Sequence, residues 1–377
     1  MSIDKLYLYL LKIIVRLKAC YFKVSPKSKA PNKGLFAGLV GCGNFARYAY
    51  IPALNRKQMP IVISGLYSNS HNSSKKAQGM LRYKTRIFFS YEELLNSGIK
   101  GVILTLPNHL HYQYIIKALE SGVDVFCEKP VTNSLNDAMR LNRYLDTSRN
   151  ILMVGFNQRY LDRMKKVKSF IENNGLGEIY EVSTFHNQDI AGHLEKSSWL
   201  NDSKKSGGGI LYNAGIHLVN LMLYFFGPIE SVFARLECKK MPKVFGEDSA
   251  DCDFYFKSGV KGKLKASYIN EVDSSYEHLI IKGSRGTIYT DMKTSSIMYK
   301  SNNSLEWVDI PCKRELVPDS VFNELSHFCH CMEKRMSPDT GISDSIDTLN
   351  VMEAAYLSSL DKRRISVDEA IIKYEKN

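Results

Sequence analysis

The sequence predicts an α/β chain of two domains, the first built on a doubly wound parallel sheet. Three observations carry this. At 377 residues the chain is longer than one ordinary hydrophobic core organises. Between residues 35 and 127, short apolar runs alternate with helix-like segments, the pattern of successive β-α-β units. The first of those runs ends in a glycine turn, Gly41-Cys42-Gly43-Asn44-Phe45-Ala46, that leads straight into a helical pattern. With 44% hydrophobic and 24% charged residues, the composition is that of a folded globular chain rather than a disordered one.

Ahead of this pattern lies a basic leader. Residues 1–33 hold eight Lys and Arg against one acid, Asp4, and so account for seven of the twelve net positive charges. The remainder is only mildly basic, and no nucleic-acid motif or aromatic-basic stripe accompanies it, so a nucleic-acid partner is not expected. Wound as a helix, residues 3–22 with the following Lys23 place Lys5, Lys12, Arg16 and Lys23 on one stripe, Lys18 off it, and Leu, Ile, Val, Tyr and Phe over most of the rest. The uncharged run is far short of the roughly 20 apolar residues that span a bilayer, and no secretory cleavage site follows. Two readings stay open: a helix lying in a membrane interface, or one packed on the protein or a partner subunit. Residues 25–34, broken by Pro26 and Pro31, read as a linker. Eight scattered cysteines form no disulfide framework, which points to reduced thiols and a cytoplasmic setting, with peripheral contact at the inner face of the membrane left open by the leader.

Residues 35–40 (LFAGLV) read as a buried strand, Ala46–Asn55 as a helix, and Ile61–Tyr67 as the second strand. The intervening turn fits G-x-G-x-x-A. Gly41 permits the reversal, Gly43 lets backbone approach a pyrophosphate, and Ala46 allows close packing of helix on strand. Asn44 and Phe45 complete the candidate dinucleotide loop. The second strand ends in Ser68 and Asn69, and residues 56–91 contain no Asp or Glu. An acid here would bind an adenosine ribose and repel a 2′-phosphate, so its absence favours NADP over NAD. A third strand (99–106), a helix (111–121) and a fourth strand (123–127) follow. Their loops carry Pro107, Asn108 and His111, then Glu128-Lys129-Pro130, all placed where open parallel sheets bind ligands.

At this point the chain resembles the Gfo/Idh/MocA (glucose–fructose oxidoreductase / inositol dehydrogenase / rhizopine catabolism) family. The resemblance rests on GLVGCGNFA (38–46), TLPNHLHYQYIIKALESGVDVFCEKPVT (105–132), GFNQRY (155–160), GGGILYNAGIHLVNL (207–221) and the tail 327–359. It implies a Rossmann domain at about 34–154 and, at about 155–377, an α/β domain with an open, mostly antiparallel sheet that holds substrate and often the oligomer. It implies NAD(P)-dependent hydride transfer at a hydroxyl or ketone carbon of a sugar, sugar nucleotide or cyclitol, and a homo-oligomer; Asn213 and the basic leader favour a setting in polysaccharide or modified-sugar biosynthesis. Lys129 would touch both nicotinamide ribose and substrate, His217 would be an acid/base, and Arg159, Tyr160 and Asn213 join the candidate substrate set.

The chemistry can also be argued from the residues. Asn213 and His217 are four apart on a helix opened by Gly207-Gly208-Gly209, so they share a face. Histidine titrates in the range that alcohol oxidation needs, and a lysine beside a cationic nicotinamide has its pKa lowered. Asn213 stands where many family members carry Asp. An amide cannot ionise, so the proton chemistry falls to Lys129 and His217. A non-catalytic nucleotide-sensing regulator on the same fold is the alternative. No metal is expected: His327-Phe328-Cys329-His330-Cys331 lies within one and a half helical turns and cannot converge on one ion. Asp248, Asp251 and Asp253 read as surface positions of a strand, and the helix at 344–360 as the one that returns to the first domain.

Overall fold

The computed structural model describes residues 31, 33–188, 199–200, 202–239, 246–269, 276–291 and 294–375. The amphipathic leader expected at 3–22 lies outside the described residues. The chain divides into two compact units, one running through Thr132 with Asp137–Tyr160 and Leu316–Ser343, the other holding Asn133–Asn136, Leu161–Glu315 and the chain from Asp344.

The first unit is a six-stranded parallel sheet. Its strands are β1 (Leu35–Val40), β2 (Ile61–Tyr67), β3 (Arg86–Ile87), β4 (Gly101–Leu104), β5 (Asp124–Glu128) and β6 (Leu152–Gly155). They lie in the order β3-β2-β1-β4-β5-β6. β1, β4, β5 and β6 are near-continuous apolar runs because helices cover both faces of such a sheet. The order reverses between β1 and β4, the place where doubly wound sheets open a ligand crevice at their carboxyl ends.

The structure departs from a single cut near residue 154. The helix Val317–Lys334 packs into the first unit, because Val321, Leu325, Phe328 and Met332 form one stripe that joins Ala37, Leu39, Ile63 and Phe126 in its core. The helix Ile342–Asp361, expected to make that return, belongs instead to the second unit, where the Ser358 hydroxyl accepts from Ala234 N at 2.9 Å. Within the helix Val317–Lys334, Cys329 and Cys331 are buried while His330 is exposed.

The second unit carries a nine-stranded sheet. Its strands are β7 (Ile179–Asn187), β8 (Ile229–Glu237), β9 (Ser249–Phe256), β10 (Lys261–Ser267), β11 (Tyr276–Gly283), β12 (Gly286–Asp291), β13 (Ser296–Ser301), β14 (Val308–Asp309) and β15 (Ile365–Ser366). The order is β14-β13-β12-β11-β7-β10-β9-β8-β15, and only β7 and β10 pair in parallel. Alternate residues of β9 and β10 face the core, and Lys263 and Lys265 meet Asp253 and Asp251 across the strands, each at 3.7 Å. Asp248 is no surface residue: it is fully buried and its carboxylate accepts from Lys239 N at 2.8 Å.

Candidate functional site

The carboxyl edge of the parallel sheet gathers the loops that follow β1, β2, β4 and β5. The glycine turn after β1 is held from both sides. Gly41 N donates to Tyr67 O at 2.9 Å, and the Thr105 hydroxyl donates to Gly41 O at 2.5 Å. Gly41 has φ of +86°, and a Cβ there would lie 2.5 Å from Thr105 O, so both conformation and space require glycine. Gly43 differs: a Cβ built on it would meet nothing within 4 Å. Its backbone is therefore the open lip of the turn. Asn44 accepts from Arg47 Nη2 at 2.5 Å, Phe45 is 48% exposed and makes a T-shaped ring pair with Tyr50, and Ala46 is buried. The expected helix from Ala46 forms, with one difference. Ala46–Tyr50 is a wide π-helical turn that passes into an α-helix at Ile51.

At the end of β2, Tyr67 stacks on Tyr91 and Tyr114 with centroids 6.1 and 6.5 Å away, and its hydroxyl donates to Asn69 Oδ1 at 3.0 Å. Ser68 is half-buried beside it, and Asn69 is exposed. Ser70 caps the next helix by accepting from Ser73 N at 3.3 Å. No acidic side chain stands between Arg56 and Tyr91.

The loop after β5 contains a cis Lys129–Pro130 peptide bond. His111 is buried beneath it, with Nδ1 2.7 Å from Pro130 O and Nε2 2.9 Å from Leu106 O. The imidazole is thus wedged between two backbone carbonyls, its one N–H donating to one of them, and His111 braces two loops rather than presenting itself to a cofactor. Asn108 is also buried, and Pro107 is half-buried. Glu128 is buried and receives Lys129 N at 3.1 Å and the Tyr50 hydroxyl. Burial raises its pKa, while the Tyr50 hydrogen bond and the Lys129 charge act against that. Poor solvation of its ammonium depresses Lys129 to about 8, against a smaller upward pull from Glu128.

Two candidate substrate residues fall elsewhere. Tyr160 is 2% exposed, sits in the first unit's core, and shares a 3.0 Å hydrogen bond with Thr340. Its ring is structural because the turn Asn157–Tyr160 folds it inward under the helix Val317–Lys334. Arg159 is buried and donates to Asp339 O at 3.1 Å, holding the returning segment in place.

In the second unit, the Gly207-Gly208-Gly209 segment is clamped by Glu247. Gly209 N and Leu211 N donate to its carboxylate at 3.1 and 2.8 Å, and the Tyr356 hydroxyl donates at 3.0 Å. A Cβ on Gly209 would lie 1.9 Å from Glu247 O, which is why this residue has no side chain. The helix that follows opens with a π turn, Leu211–Gly215, before the α-helix Ile216–Phe226. Asn213 sits in the wide turn and His217 in the first α turn, so the simple i, i+4 spacing expected of them is interrupted. Both are half-buried; burial raises the pKa of the Tyr268 hydroxyl, and nearby Asn213 acts against that.

Sequence reasoning missed Tyr50, Thr105, Glu247, Tyr268 and Glu324. Only Glu324 left a signal: it is an acid on the apolar stripe of its helix, between Val321 and Phe328.

Comparison with known proteins follows these divisions. Residues 36–156 match the model of an oxidoreductase family with an NAD-binding Rossmann fold, and residues 164–289 match the GFO/IDH/MocA C-terminal domain. The chain is 27% identical over 299 residues to glucose-6-phosphate 3-dehydrogenase of Bacillus subtilis, covering 76% of this chain and 81% of that one. It is 25% identical over 344 residues to myo-inositol 2-dehydrogenase of Thermotoga maritima, covering 89% and 99%. Among solved structures, levoglucosan dehydrogenase in complex with NADH shares the fold, with a TM-score of 0.82, 18% identity, and coverage of 89% and 99%.

Proposed function

The chain belongs to the Gfo/Idh/MocA oxidoreductase family, and on that premise we propose that it uses NADP(H) in preference to NAD(H) to move a hydride at a hydroxyl or ketone carbon of a sugar, sugar nucleotide or cyclitol. The observation that carries this reading is Lys129, a lysine depressed to about 8 in the loop after β5, at the sheet edge that also presents the glycine turn. The turn suits a dinucleotide because a Cβ at Gly43 would fill the open lip where a pyrophosphate approaches backbone N–H groups. Gly41, Gly43, Asn44, Phe45 and Ala46 would hold the pyrophosphate, Ser68 and Asn69 the adenosine ribose, and Pro107, Asn108, Glu128 and Lys129 the nicotinamide end. When bound, the nicotinamide supplies the hydride acceptor or donor.

The proton belongs to this chain's own residues. In its neutral form Lys129 accepts a proton from a substrate hydroxyl, and in its charged form it polarises a ketone oxygen. His217 is the second acid/base candidate. Asn213 hydrogen-bonds the substrate without ionising. The NADP preference rests on Ser68 standing where an acid would repel a 2′-phosphate.

Titration of the purified protein with NADH and with NADPH, followed by nicotinamide fluorescence, tests the reading. NADPH should bind more tightly, and Ser68→Asp should weaken NADPH by about tenfold or more while sparing NADH. A panel of sugars and cyclitols, run with wild type and Lys129→Met, then identifies the substrate. Binding of neither dinucleotide would overturn the proposal.

A further inference from the structure

A cation is clasped at the dinucleotide turn without a countercharge. Arg47 stands in the π turn that follows the glycines, and its guanidinium folds back onto them. Nε donates to Gly43 O at 3.2 Å and Nη2 to Asn44 Oδ1 at 2.5 Å. Both acceptors are neutral, and Arg47 forms no ion pair among the described residues. These two bonds spend the side-on edge of the fork. The end-on edge, Nη1 with the other proton of Nη2, is left to donate, and it suits two oxygens of one phosphate. Because a guanidinium can only donate, the Asn44 amide must face it with its oxygen, which leaves Nδ2 as a further donor at the same place.

The clasp belongs to the corner where the glycine turn meets the end of β2. Gly41 N and the Cys42 thiol both donate to Tyr67 O, at 2.9 and 3.8 Å, so the turn is stitched to the strand end that leads into Ser68 and Asn69. The helix that follows them, His71–Met80, packs on the π turn Ala46–Tyr50 that carries Arg47. No acid lies between residues 56 and 91. The lack of an acid only ceases to repel a 2′-phosphate; attraction needs a cation. Lys75 and Lys76 of the helix His71–Met80 are exposed, and ordering either on a ligand costs side-chain entropy. Arg47 is already held by two hydrogen bonds, so less order is lost when a phosphate arrives. We propose that Arg47 is the cation that recognises the 2′-phosphate of NADP(H), and that Asn44 and Gly43 O set the direction of its fork. This deepens the NADP(H) reading of the same site and rests on it.

The test is titration of full-length wild type, Arg47→Met and Arg47→Lys with NADPH and with NADH, followed by nicotinamide fluorescence. Arg47→Met should weaken NADPH by about tenfold to a hundredfold, the loss of a charge-assisted contact, and leave NADH within about twofold. Arg47→Lys should fall between, because an ammonium keeps the charge without the fork. An equal loss for both dinucleotides would put the guanidinium on the pyrophosphate, and an unchanged NADPH affinity would make it a brace of the turn alone; either overturns the proposal. If Arg47→Met does not fold, Arg47→Lys decides by whether NADPH loses affinity relative to NADH. Calorimetry with adenosine 2′,5′-bisphosphate and adenosine 5′-monophosphate isolates the contact from the nicotinamide end. Wild type should prefer the bisphosphate, and a preference that survives in Arg47→Met also overturns the proposal. Failure of wild type to bind either dinucleotide would refute the oxidoreductase reading, whereas the adenosine nucleotides still test Arg47.

Discussion

Replacing each glycine of the turn with alanine should separate folding from binding. At Gly41 the backbone has φ of +86° and an added Cβ would lie 2.5 Å from Thr105 O and 2.8 Å from its carbonyl carbon. The conformation costs an L side chain about 1–2 kcal/mol, and crowding against backbone adds about 1–3 kcal/mol. Gly41→Ala should therefore lose about 2–5 kcal/mol of stability. At Gly43 the same methyl meets nothing within 4 Å. Stability should change by no more than about 0.5 kcal/mol, yet the methyl would stand between phosphate and backbone. Losing one charge-assisted hydrogen bond of about 1.5–3 kcal/mol corresponds to a drop in NADPH affinity of about tenfold to somewhat over a hundredfold. Urea unfolding gives the first quantity and nicotinamide fluorescence the second. A stable Gly43→Ala protein with unchanged NADPH affinity would refute the assignment of this turn to the pyrophosphate.

Three further outcomes are expected. Tyr160→Phe should cost about 1 kcal/mol in unfolding experiments through the lost bond to Thr340, and a marked rise in substrate KM would show that the hydroxyl has a role in binding after all. Gly209→Ala should destabilise the second unit by about 3 kcal/mol or more, seen as a lower unfolding midpoint, because its methyl would drive into Glu247 O at 1.9 Å. Substrate oxidation should rise about tenfold per pH unit below about 8 and level off above it, since a lysine depressed to about 8 gains its neutral form over that range; Lys129→Arg should abolish this limb, and a limb that survives assigns the titration to another group.

The apolar runs told most of the first unit. Leu35–Val40 and Ile61–Tyr67 are strands with the expected bounds, because parallel strands buried on both faces need uninterrupted apolar residues. β12 and β13 were not legible, since Gly286–Asp291 and Ser296–Ser301 mix Thr, Asp, Lys and Ser into half-buried strands. The positions of Lys129 and Gly43 followed from motif and strand order. Tyr160 and His111 could not be judged in the same way. Adjacency to a motif does not reveal that a ring turns inward to Thr340 or that both imidazole nitrogens lie on backbone carbonyls. The hydrogen bond from the Tyr50 hydroxyl to Glu128 joins residues from distant segments, and nothing local in either announces the other.

The placement of the helix Val317–Lys334 has a consequence for biosynthesis. A ribosome making this chain has already released every strand of the parallel sheet, and most of the second unit, before this helix emerges. Until then the faces that receive Val321, Leu325 and Phe328, with Ala37, Leu39 and Phe126 among them, have no cover. The dinucleotide-binding unit is therefore the first to begin folding and among the last to finish, and a fragment ending at Tyr160 would emerge with an apolar surface that invites aggregation.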